Sequence, residues 1–184
     1  WPFAGGELWG EQNDSDSIDA VNESIENGIN FFDTAPGYGE GRSEEVLGTA
    51  LIEKRHSSII GTKVPPSDLS PKNIRKACED SLKRLKTDYI DLYQIHWPNH
   101  EVPIEDSVNE LKKLKEEGKI LTIGVSNFGK NDFSEISGLI EVATNQLPYN
   151  AFWRAIEFEI KPVCIAKGSG IICYSPLAQG LLTG

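Results

Sequence analysis

Four side chains in this sequence, Asp33, Tyr38, Lys63 and His96, have the chemistry to move a proton onto an oxygen. A phenol has an unperturbed pKa of about 10, too high for a donor and acceptor working near neutrality. An ammonium within hydrogen-bonding reach favours the phenolate, and a carboxylate beside that ammonium keeps it charged despite burial. Lys63 and Asp33 suit those two jobs for Tyr38, and the His96 imidazole suits the orienting of a carbonyl oxygen beside the phenol. Taken singly, each has an ordinary structural reading: a strand-end cap, a turn aromatic, a solvated lysine and a satisfied near-core histidine. Their common position at the ends of apolar stretches argues for one site.

Those stretches define the elements that must hold the four groups. Residues 31–48, FFDTAPGYGEGRSEEVLG, run from a short strand through a Gly/Pro-rich turn into an amphipathic helix. Further helices are expected over 14–27, with Gly28 as stop, and from Ser70 and Pro71, a capping hydroxyl and a first-turn proline. Pro103 and Ile104 open another, closed by Gly118, and two more are expected over 130–137 and 156–167. Strands are expected over 30–33, 58–64, 89–96, 119–126, 142–146 and 170–174. Alternation of short apolar strands with helices calls for a parallel sheet covered by helices. No GxGxxG follows the first strand, as an open doubly wound nucleotide-binding sheet would require. Polar residues instead close successive strands: Asp33, Lys63, His96, Ser126 with Asn127, Gln146, and Tyr174 with Ser175. In an eight-stranded (β/α) barrel such ends share one mouth. The expected fold is that barrel in one domain over residues 1–184, with its first strand before Trp1 and its eighth after Gly184.

Composition narrows the partners. The 184 residues are 39% hydrophobic and 25% charged, long enough for one sizeable core. With 18 basic against 28 acidic residues the net charge is −10, which argues against nucleic acid and anionic membrane surfaces. No apolar run reaches the length of a membrane span and no leader pattern opens the sequence, so a cytoplasmic protein is expected. The three cysteines, Cys78, Cys164 and Cys173, form no CxxC pair and read as buried reduced thiols. Trp1, Trp9 and Trp97 are candidates for an aromatic substrate pocket at the mouth. His56 and His100 fall in loops and read as exposed. With no Met anywhere, the sequence reads as part of a longer protein.

The segments GINFFDTAPGYGEGRSEEVLG, GTKV, LSPKNIRKACEDSLKRLKTDYIDLYQIHWP, GKILTIGVSNF, NQLPYN and YSPLAQGLLTG resemble, in order, the signature segments of the aldo-keto reductases. The resemblance covers nearly the whole chain. It implies NADPH-dependent reduction of an aldehyde or ketone, with Tyr38 as general acid/base, Lys63 its partner, Asp33 the partner of Lys63 and His96 the carbonyl-orienting group. It further implies that Ser126, Asn127 and Gln146 hold the nicotinamide carboxamide and that Tyr174 stacks on the nicotinamide ring. Ser175, Pro176, Leu177, Gly180 and Leu181 match the loop over the pyrophosphate, and Trp1 and Trp97 match family positions. The family's basic motif for the adenosine 2′-phosphate does not occur in these residues, so NADP is inherited from the resemblance and NAD stays open. The same branch includes potassium-channel β subunits, which keeps a cofactor-binding regulatory subunit as the alternative.

Overall fold

The computed structural model describes residue 5 and residues 10–183. Six strands, β1 (Phe31–Asp33), β2 (Ile59–Val64), β3 (Ile90–Ile95), β4 (Ile120–Ser126), β5 (Thr144–Pro148) and β6 (Gly170–Tyr174), form one parallel sheet in sequence order. Between them lie α2 (Arg42–Ala50), α3 (Pro71–Leu85), α4 (Ile104–Glu116), α5 (Lys130–Leu139) and α6 (Ile160–Ala166), with α1 (Asp14–Glu26) in front. Each strand pairs with the next along the chain, and right-handed crossovers then bring every helix to one face. The arrangement is six consecutive units of a (β/α)8 barrel.

Strand periodicity sorts the residues between the two faces. Phe32, Ile60, Tyr93, Ile95, Ile123, Val125 and Leu147 are buried with Val21, Leu47, Ile74, Leu111, Phe133 and Cys164 from the helices, and this layer is the core. The opposite face carries Asp33, Lys63, Gln94, Ser126, Gln146 and Tyr174. That parity brings the polar strand ends together, one position from each strand. The interior is tight there: a Cβ on Gly124 would lie 2.5 Å from Thr144 Oγ1 and 3.0 Å from Gln94 Cγ.

Several boundaries differ from the sequence expectation. The expected helix over 156–167 divides into a single 3-10 turn, Ala155–Glu157, and α6. Pro162 explains the division, since a residue without an N–H is tolerated only in the first helical turn. Ser70 precedes α3 as expected, yet its hydroxyl makes no capping bond; its carbonyl accepts the Ile74 N–H at 2.9 Å. β5 sits two residues later than expected, in register with β6 through Pro148. Cys78 and Cys164 are buried, whereas Cys173 is exposed on the helix-side face of the edge strand β6. Among the described residues, no helix is long and apolar enough to cross a membrane.

Candidate active site

The end of β1 is braced from both sides. After Asp33 the Thr34 N–H donates to Gly61 O, and the buried Thr34 hydroxyl donates to Ser43 Oγ at 2.9 Å. The turn that follows brings Tyr38 back over the sheet, with its N–H on Ala35 O, and Gly39, Glu40 and Gly41 all take positive φ. Glycine bears that conformation without strain, which accounts for the GEG run after the phenol.

Lys63, from β2, is fully buried. Its Nζ donates to both Asp33 oxygens at 2.9 and 2.8 Å and to Thr34 O at 2.8 Å, and lies 3.4 Å from the Tyr38 hydroxyl. His96 follows β3, its N–H on Val64 O, and meets Tyr38 edge to face with ring centroids 6.1 Å apart.

The strand ends β4, β5 and β6 build the other half of the mouth. Ser126 Oγ donates to Gln146 O at 3.1 Å, and Asn127, held in the left-handed region at φ 62°, sends its N–H to the same oxygen. The Asn127 amide nitrogen donates to His96 O at 3.1 Å and Ser126 Oγ at 3.0 Å, and its Oδ1 accepts from the Tyr174 hydroxyl at 2.9 Å. Gln146 Nε2 reaches Asp33 Oδ1 at 2.9 Å and thereby joins the two halves.

Electrostatics correct one expectation. The Tyr38 phenol is pushed up, first by burial, then by the Asp33 carboxylate and by Tyr174. The Lys63 ammonium, although 3.4 Å from the hydroxyl, is held by both oxygens of Asp33 and by Thr34 O, and burial prevails. Burial lowers Lys63, with Asp33 opposing. Burial and then Lys63 push His96 down to about 4, so its imidazole is neutral at pH 7. The site therefore presents a protonated phenol and a neutral imidazole side by side, both able to donate to one oxygen.

A cavity of about 610 Å³ opens over these groups. Asp33, Tyr38 and His96 line it, while Lys63 lies beneath. Ser126, Asn127, Gln146, Tyr174, Ser175, Pro176 and Leu177 line it too, as does Trp97, 49% exposed at the rim. Gly180 and Leu181 do not; Gly180 ends a 3-10 turn and Leu181 points to solvent. Trp1 and Trp9 lie outside the described residues. His56 and His100 are exposed.

Gln179 and Asn150, like Thr34 and Ser43, escaped the sequence reading. Gln179 enters the cavity wall on a backbone with φ 56°. Asn150 anchors the last loop, its amide donating to Ser175 O at 3.0 Å while its Oδ1 accepts from the N–H groups of Phe152 and Trp153. Its place at the end of NQLPYN, beside a strand end, was the available signal.

The family model described as "Aldo/keto reductase family" matches residues 1–184. The chain is 40% identical over 190 residues to aldo-keto reductase YhdN of Bacillus subtilis, covering 98% of this chain and 57% of that protein. It is 37% identical over 207 residues to the NADH-specific methylglyoxal reductase of Escherichia coli, covering 100% of this chain and 64% of that one. A crystal structure of an aldo/keto reductase from Klebsiella pneumoniae in complex with NADP and acetate superposes with a TM-score of 0.87 at 35% identity, covering 91% of this chain and 60% of that chain. The chain thus spans 57% and 64% of the length of the two curated relatives.

Proposed function

The chain belongs to the aldo/keto reductase family, and on that premise we propose that its mouth reduces an aldehyde or ketone to an alcohol. The observation that carries this is the Tyr38 hydroxyl, 3.4 Å from the buried Lys63 ammonium and beside a neutral His96. A bound nicotinamide cofactor supplies the hydride for the carbonyl carbon. Tyr38 gives its phenolic proton to the carbonyl oxygen as negative charge develops there, forming the alcohol O–H and leaving a phenolate. Lys63 lies close enough to steady that phenolate, and Asp33 keeps Lys63 charged and in line. The His96 imidazole donates to the same oxygen and sets its direction.

The donor set suits such a cofactor. Ser126, Asn127 and Gln146 offer hydroxyl and amide groups at neighbouring strand ends, chemistry matched to a carboxamide. Tyr174 supplies an aromatic face. Ser175, Ala178 and Gln179 take positive φ in the last loop, a conformation that also occurs in anion-binding backbone concavities. Known relatives divide on the dinucleotide: one is called NADH-specific and another was crystallised with NADP. We assign NADPH on the resemblance, with NADH as the competitor to test. The small-molecule carbonyl is the partner, and residues 1–184 are taken as one barrel domain. The buried thiols of Cys78 and Cys164 favour a reducing compartment, so we assign the protein to the cytoplasm.

The experiment follows the loss of reduced nicotinamide by absorbance in full-length protein with a panel of aldehydes. Tyr38→Phe should lower kcat by roughly 10² to 10⁴, the range for losing a general acid. Turnover equal to wild type in that variant would overturn the assignment of Tyr38.

A further inference from the structure

We infer that Gln146 is a positioning residue for the proton-donating group: its side-chain amide ties Asp33, 113 residues away, to the cofactor-facing half of the mouth. The inference rests on the proposed reduction and adds to Gln146 a task beyond contact with a carboxamide. Gln146 is 5% exposed, so its amide needs partners within the protein. Nε2 donates to Asp33 Oδ1 at 2.9 Å, the same oxygen that accepts from Lys63 Nζ at 2.9 Å. That bond fixes the rotation of the carboxylate, which in turn fixes the ammonium 3.4 Å from the Tyr38 hydroxyl. The Gln146 main chain is itself held, since its carbonyl accepts from Ser126 Oγ and the Asn127 N–H.

A continuous path therefore runs from Tyr174 through Asn127, Gln146, Asp33 and Lys63 to Tyr38. A carboxamide side chain carries two N–H groups and an acceptor oxygen, so one N–H on Asp33 leaves the group able to meet a nicotinamide carboxamide as well. Contact with both makes the coupling reciprocal: whatever orders Asp33 tightens the cofactor, and the cofactor orders Asp33.

A double-mutant cycle in the full-length protein tests this, with two readouts: NADPH affinity by fluorescence titration, and kcat. Gln146→Met keeps the length and removes the amide; Gln146→Asn keeps the amide but falls short of Asp33 and serves if the first fails to fold. Either should lower kcat about tenfold with Asp33 present and less than about twofold in an Asp33→Asn background, a coupling within the usual range for residues in contact. Asp33→Asn should weaken NADPH binding only while Gln146 is present. Equal losses in both backgrounds, for kcat and for affinity, would overturn the inference. A wild type that binds NADPH but turns over no carbonyl would remove the proposed reduction, and the affinity cycle would still decide the link between Gln146 and Asp33.

Discussion

His96 stays neutral down to about pH 4, because burial and the Lys63 ammonium both oppose its charging. A histidine in the unfolded chain takes up its proton near 6.5. Between those values the unfolded chain binds a proton that the folded one does not, so stability falls as pH drops through that window. Denaturant unfolding at pH 7 and pH 4.5 should therefore lose less stability in His96→Gln than in wild type; an equal loss would place the charge sensitivity elsewhere. Tyr38 adds a directional effect. A phenol pushed above its ordinary range holds its proton throughout neutral pH, so carbonyl reduction should be flat from about pH 6 to 9 while alcohol oxidation, which needs the phenolate, keeps rising with pH. Initial rates in the two directions check this, and an oxidation rate already level at pH 8 would contradict it. The four groups were legible in the sequence because Asp33, Lys63 and His96 fall at or just past strand ends and Tyr38 sits in the Gly/Pro-rich turn that follows the first of them. The sign of the phenol's shift was not, since it depends first on how deeply the hydroxyl is buried and then on the Asp33 carboxylate beside it, and spacing carries no such information.

At the scale of elements, the approach of α2 to α3 sets how firmly the Tyr38 turn is held. A Cβ on Gly48 would come within 2.6 Å of the Leu85 backbone, so no larger residue fits without parting the helices. Beside it Glu44 is completely buried, accepting from Thr62 Oγ1 at 2.6 Å and Arg84 Nε at 2.7 Å, which pins α2 to β2 and α3 together. Gly48→Ala should cost about 1 to 3 kcal/mol by overpacking, read as a lower unfolding midpoint. Because α2 carries the far end of the turn, kcat should fall with it while cofactor affinity holds. Helix starts were legible from Pro71 and Pro103, and ends from Gly28 and Gly118, where the backbone itself is constrained. The start of α6 and the extent of β5 were less so, since one turns on where Pro162 falls within its helix and the other on pairing with β6. Glu44 was missed altogether: buried carboxylates are recognised by their partners, and Thr62 and Arg84 are distant in sequence.

For the whole molecule, sequence order in the sheet made the fold legible: strands, helices and the polar strand ends form one repeating pattern. Dinucleotide preference was not, because the strand-end pattern assigns no residue to the adenosine ribose. Thermal denaturation of the full-length protein in matched NADPH and NADH measures it directly. A ligand at about 100 times its Kd adds about 2.7 kcal/mol, so the preferred dinucleotide should raise the midpoint by several degrees. Equal shifts would remove NADPH from the assignment. The sheet also has a temporal consequence. Neighbouring strands pair across only about 20 to 31 residues, so the chain can zip together in the order it leaves the ribosome. Asp33 and Gln146 meet across 113 residues, and that contact forms only after β5 has been synthesised. A nascent chain can thus pair its first four strands before the bond that joins the two halves of the mouth exists.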